Sequence, residues 1–221
     1  MSEIIMLSDV RLSFPHLVEP QKNQTNDGKY RVSYSAEFIM PMDHKGFKDF
    51  QARVGELAQE KWKDHAQSVL NMIQQDRKLR CYGKGDEKIN QKTFKVYDGY
   101  EGNVYITAGC STIMESADGV AKRPQMIQQD GSAVDAMNTM AYQQTARKMY
   151  GGCRVNVAIK PWCQENKHGR GIRCDLVAIQ FLRDDEPFGG GSEDVSEFFG
   201  AVKSEASPAA QDTGVMPPFL Q

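Results

Sequence analysis

Cys153-Arg154-Val155-Asn156-Val157-Ala158-Ile159-Lys160-Pro161-Trp162 and Gly171-Ile172-Arg173-Cys174-Asp175-Leu176-Val177-Ala178-Ile179-Gln180-Phe181-Leu182 decide the fold. Each stretch is rich in β-branched residues and alternates at a period of two, the signature of strands with one buried face. Residues 164–170 between them are polar and include Lys167, His168 and Arg170, so the pair reads as a β-hairpin. Upstream, Tyr30, Val32, Tyr34, Ala36, Phe38 and Met40 also recur at every second position. They predict one face of a strand, with at least two of Tyr30, Tyr34 and Phe38 packed inside. Val10 to Phe14 predicts a shorter strand ended by Pro15, and 102–111 a further one around Val104, Tyr105, Ile106 and Thr107.

One segment changes period. Phe47, Phe50, Val54, Leu57, Ala58 and Lys61, then Val69, Met72 and Ile73, follow three- and four-residue spacing. They predict one long helix or two over 44–75, with Asp43 as N-cap. A short helix is expected over 141–150, ended by Gly151-Gly152. The segments 77–95 and 112–140 read as loops, the first rich in basic residues. The expected class is therefore all-β with one substantial helix. Five core strands fit an OB-fold, a small Greek-key barrel whose face and loops hold oligonucleotides, although strand count alone leaves other barrels and α+β sheets open.

The chain has 221 residues and 25% charged residues, ordinary for a globular protein. No apolar run approaches the roughly 20 residues of a membrane span. The N-terminus lacks the pattern of a secretory signal. Cys81, Cys110, Cys153, Cys163 and Cys174 are odd in number and contain no CxxC pair, which fits a reducing cytoplasm. The net charge of −2 conceals an asymmetry: residues 184–221 carry eight acids and one lysine, −7, whereas 1–183 carry 26 bases and 21 acids, +5. The tail has too few apolar residues to offset its ordering entropy. The expected organisation is a core at 1–183 and a flexible acidic tail at 184–221.

Catalytic motifs are absent. The four histidines have no metal-ligand spacing, and no phosphate-binding loop occurs. Cys163, His168 and Cys174 near one loop read as ordinary strand residues, and Asp184-Asp185-Glu186 as solvated carboxylates. No enzyme activity, cofactor or metal is expected. Aromatic and basic residues do interleave: Lys29-Tyr30-Arg31 with Tyr34, Arg80-Cys81-Tyr82 with Lys84, Lys95 with Tyr100 and Tyr105, and Lys160-Pro161-Trp162 with Lys167 and Arg170. Rings stack on unpaired bases while cations track phosphates, so these residues are the candidate DNA-binding set. Trp162, between Pro161 and a polar loop, is the best placed to stack.

Arg11-Leu12-Ser13-Phe14-Pro15-His16-Leu17-Val18-Glu19-Pro20, Gly28-Lys29-Tyr30-Arg31-Val32, the final hairpin and Arg183-Asp184-Asp185-Glu186-Pro187-Phe188-Gly189-Gly190-Gly191-Ser192-Glu193-Asp194 resemble, in order, the bacteriophage replication single-stranded DNA-binding proteins with an OB-fold and acidic tail. The resemblance implies sequence-tolerant coating of single-stranded DNA in phage replication and recombination within the host cytoplasm. It also implies homodimers, and tail-mediated recruitment of replication and recombination proteins. By the same resemblance Trp162 contacts DNA, with Lys29 and Arg31 beside it. The end of this chain, Met216-Pro217-Pro218-Phe219-Leu220-Gln221, departs from the dense acids and terminal aromatic of such proteins. Competing readings are a phage structural or interaction protein that uses a similar barrel to bind an acidic partner, and a metal-dependent nuclease.

Overall fold

A computed structural model describes residues 3–116, 121–135, 137–166 and 169–189. The chain divides into two units, Met1–Gly190 and Gly191–Gln221, and all described residues lie in the first.

Seven strands form one sheet: β1 (Ile5–Gln24), β2 (Tyr30–Met40), β3 (Tyr82–Lys84), β4 (Val104–Met114), β5 (Gln125–Ile127), β6 (Arg154–Asn166) and β7 (Gly169–Arg183). Antiparallel ladders join β1 to β2, β2 to β4, β1 to β6 and β6 to β7. A single parallel bridge, Gly109 to Asp175, brings β4 against β7 and closes these five strands into a barrel. Antiparallel neighbours closed by one parallel contact are compatible with the five-stranded OB-fold expected from the sequence. Strands β3 and β5 extend the sheet at its margins.

The alternation holds on β2, where Val32, Tyr34, Ala36, Phe38 and Met40 are buried and Tyr30 packs partly against the core. On β6 and β7, Val155, Val157, Ile159, Ile172, Cys174, Leu176 and Ile179 face inward. Pro15 does not end the first strand. β1 runs on to Gln24 through a register shift between Ser13 and His16, and Phe14 takes a positive φ of 44° there. A bulge places proline where no ladder hydrogen bond is required, so pairing resumes beyond it.

The helical segment is two helices, α1 (Lys45–Trp62) and α2 (Ala66–Gln75), separated by a 3₁₀ turn that begins at Lys63 with φ 47°. The N-cap of α1 is His44, not Asp43: its Nδ1 accepts from Gly46 N at 3.1 Å, and its Nε2 donates to the Ser8 carbonyl at 2.9 Å. Phe47, Phe50, Val54, Ala58 and Trp62 form the buried face, so Trp62 takes the place expected of Lys61. This face packs on β1 and β6. The short helix, α3 (Thr139–Ala146), starts at an Asn138 cap.

The compact body extends beyond the expected boundary at Arg183. Asp185 bonds the Arg154 guanidinium at 2.6 Å, and Tyr150 donates its hydroxyl to Asp184 at 3.0 Å. Arg11 bonds the Glu186 carbonyl and lies 4.3 Å over the Phe188 ring. Phe188 packs with Ile39, Tyr100 and Tyr105, and Gly189 N donates to Asp98 at 3.0 Å. Of the carboxylates expected to be solvated, those of Asp184 and Asp185 thus help anchor 184–189 to the barrel. With the boundary at 189, the body carries +2 and the remaining 32 residues −4. Most of the expected asymmetry in the body was the omission of these three acids.

Candidate nucleic-acid interface

The outward residues of β2, the alternate set to its buried face, are Arg31, Ser33, Ser35 and Glu37, and the first three line the groove. Beside them on β4 stand Thr107, Gly109, Ser111 and Ile113, paired by the β2–β4 register. Bulky side chains on this floor would fill it. Ser33 and Ser111 instead meet through a 2.8 Å hydroxyl bond, and Gly109 contributes no side chain. A Cβ at Gly109 would come within 3.2 Å of the Tyr34 carbonyl.

Closure of β4 on β7 sets Arg173 and Asp175 along the far side, and β6 adds Trp162, Gln164 and Asn166. Together with Arg80 these residues line a groove of about 560 Å³. From Thr107 to Ile113 its floor is about 20 Å long at strand spacing. That length holds about six nucleotides at the stacked rise of about 3.4 Å, and fewer where a strand is extended.

Trp162 is 38% exposed, and its Nε1–H donates to Asp175 Oδ1 at 2.9 Å. Arg173 Nε donates to Gln164 at 3.1 Å. Arg31 is exposed, and among the described residues it closes no salt bridge. At the loop between β1 and β2 a second concavity, lined by 23–27, Arg31 and Ile113, continues the groove past these two shared residues. The resulting surface has cations, an exposed ring and hydroxyls over a flat floor. Such a surface can take a polyanion whose bases are unpaired.

The structure separates the predicted set. Arg31, Arg80 and Trp162 come together in the groove. Arg80 is nonetheless committed: its side chain is 6% exposed, bonded to Glu87 at 2.9 Å and to the Tyr82 carbonyl at 3.1 Å. Lys29 pairs with Glu115 at 2.6 Å, Arg170 with Glu165 at 2.8 Å, and Lys160 with Glu3. Their acidic partners are exposed, so these pairs contribute little and a phosphate can replace them.

Three predicted aromatics are corrected, because the rings are interior and have no face to offer a base. Tyr34 is buried, takes a hydrogen bond from Arg123 on its hydroxyl and meets Tyr142 edge-on. Tyr100 is fully buried and donates to Glu37 at 2.6 Å; burial foremost, and that carboxylate, push its phenol well above the ordinary range. Tyr105 is buried under the Lys88 ammonium, 4.7 Å from its ring centroid. Tyr30 is half-buried at the β2 end, and Tyr82 packs edge-on against Phe50. Lys84 is exposed on β3. Lys95 is also exposed, but it lines a separate cavity with Phe14, Tyr97 and Phe188. Lys167 lies outside the described residues, as do residues 190–221 of the tail.

Reading the sequence for interleaved rings and charges missed Arg173, Gln164, Asp175 and the small polar floor. Their one local signal was strand periodicity: Arg173 and Asp175 alternate with buried Ile172, Cys174 and Leu176, as Arg31, Ser33 and Ser35 do with Val32 and Tyr34.

A closed barrel with a basic, aromatic-edged groove across β2, β4 and β7 is the architecture of a class of oligonucleotide-binding proteins. Residues 3–209 match the family described as "Enterobacter phage Enc34, ssDNA-binding protein", and the chain belongs to that family. It is 30% identical over 198 residues, covering 88% of this chain and 91% of the relative, to a putative protein p50 of Acyrthosiphon pisum secondary endosymbiont phage 1. The single-stranded DNA-binding protein of bacteriophage Enc34, solved in complex with ssDNA, is 26% identical. It superposes with a TM-score of 0.60 over 85% of this chain and 90% of that one. The bacteriophage T7 protein gp2.5, at 10% identity and a TM-score of 0.50 over 92% and 98%, shares the fold. The Enc34 and T7 proteins are single-stranded DNA-binding proteins. Among the described residues no helix is long and apolar enough to cross a membrane.

Proposed function

We propose that this chain binds single-stranded DNA, with little base preference, along the groove between Arg31 and Trp162. The carrying observation is an exposed indole and an exposed Arg31 with no salt bridge among the described residues, flanking a floor of serine, threonine and glycine, in a family whose Enc34 member was solved with ssDNA. Trp162 stacks on a base. Arg31 and Arg173 meet phosphates, and Lys29, Lys160 and Arg170 exchange their surface carboxylates for phosphate. Stacking on the Trp162 ring accepts any base because every base has a π-face.

In this reading the protein coats and protects ssDNA during phage replication and recombination in the host cytoplasm, as a monomer or a homodimer. The acidic residues after 189 compete with phosphate for the groove and, once displaced, recruit replication and recombination proteins. Fluorescence-anisotropy titration of labelled oligo-dT at two salt concentrations tests the core of it. Affinity falls as salt rises, with a log–log slope of about −0.7 per phosphate neutralised. Absent or salt-independent binding would instead favour a barrel that engages a protein partner.

A further inference from the structure

Asp175 is an anomaly in an anion-binding groove. It lies on β7 opposite Lys160, two pairs away from Trp162 opposite Arg173. It is exposed, and among the described residues no lysine or arginine closes a salt bridge with it. A fixed negative charge here repels an approaching phosphate. Its one polar side-chain contact among the described residues is the 2.9 Å bond from Trp162 Nε1. Diagonal neighbours on adjacent strands are within reach of long side chains, so the bond follows from the β6–β7 register. The backbone of Asp175 is also fixed, because its bridge to Gly109 is the contact that closes the barrel. The acceptor for the indole is therefore mounted where β7 meets β4 across the groove.

We propose that Asp175 is a positioning residue: its carboxylate holds the Trp162 indole in one orientation across the groove so that a base can stack on a ring already in place. The inference rests on the proposed groove. An exposed tryptophan without this bond samples several rotamers, and ordering it on binding subtracts from the affinity. The carboxylate also disfavours phosphate beside the ring, which leaves that part of the groove to a base.

The test compares Asp175→Asn and Asp175→Ala in the full chain, each with Trp162 intact and with Trp162→Phe. Asparagine keeps an acceptor oxygen for the indole and removes the charge, whereas alanine removes both. Labelled oligo-dT titrations at fixed salt read the affinities, and circular dichroism confirms folding. D175N binds more tightly than wild type because the repulsion is gone. D175A binds about three- to tenfold more weakly than D175N, the worth of one hydrogen bond. In the W162F background, where the ring has no N–H, D175N and D175A bind equally. Equal affinities of D175N and D175A with Trp162 present would show that Asp175 acts by charge alone and overturn the proposal. So would a difference that survives in W162F. Failure of the groove itself has a separate signature, since Trp162→Ala would then bind as wild type does.

Discussion

Truncating Trp162 to alanine separates stacking from every electrostatic contribution in the groove. The side chain is 38% exposed and makes one polar contact, to Asp175, a residue that stays solvated when the indole is gone. No buried polar group is left unsatisfied, so folding stability should fall only by the packing of the ring surface shielded in the native state, about 1–2 kcal/mol. Binding should suffer as well. A base stacked on an aromatic ring contributes about 1–3 kcal/mol, which at about 1.4 kcal/mol per tenfold weakens binding roughly 5- to 150-fold. No cation is removed, so the slope of log affinity against log salt should match that of wild type. Oligo-dT titrations at several salt concentrations read both quantities, and urea unfolding checks the fold. A folded W162A protein with wild-type affinity at every salt would refute the stacking role. A reduced slope would mean that the ring's loss had disturbed the neighbouring arginines instead.

Arg31→Ala and Arg173→Ala should each flatten the salt slope by about 0.7; an unchanged slope in salt-series titrations would remove that residue from the phosphate path. Removing residues 192–221 deletes Glu193, Asp194, Glu197, Glu205, Asp212 and Lys203, a net −4. The truncated protein should bind ssDNA more tightly, most at low salt where screening is weakest, and equal low-salt affinities would rule out competition by the tail. Gly152→Ala should destabilise the body by about 1–3 kcal/mol, because Gly152 has φ 109° and a Cβ there would sit 2.2 Å from the Glu186 carbonyl oxygen; an unshifted urea midpoint would refute this. Asp185 is held below its ordinary carboxyl value of 3.8 mainly by the Arg154 hydrogen bond. Its stabilisation is therefore full above about pH 4 and is lost as pH falls through the lowered value. Asp185→Asn should unfold at lower urea than wild type at pH 6, and the gap between the two midpoints should narrow as pH falls below the ordinary carboxyl value; a constant gap would contradict the linkage.

Strand identity on β2, β6 and β7 was legible because period-two burial is a local property of the chain. So was the helical face of 47–62, although the break at Lys63 was not. Its cause is a positive φ that no pattern of apolar residues encodes. The end of the body was misplaced for a similar reason. Asp184, Asp185 and Glu186 are polar by composition, and only the packing of Tyr150, Arg154 and Arg11 around them makes them part of the barrel.

The sequence by itself determined that β2 has one face of Tyr30, Val32, Tyr34 and Phe38 and another of Arg31, Ser33 and Ser35, and it made Trp162 conspicuous at a strand end. It did not determine which face met a ligand, and proximity of rings to charges along the chain pointed to Tyr34, Tyr100 and Tyr105, which the fold turns inward. The groove depends on register between distant segments. The bridge from Gly109 to Asp175 places Thr107, Ser111 and Ile113 across from Arg173 and Trp162. A shift of one residue in that pairing would send every side chain to the opposite face, so only the closed barrel decided which outward residues share a surface.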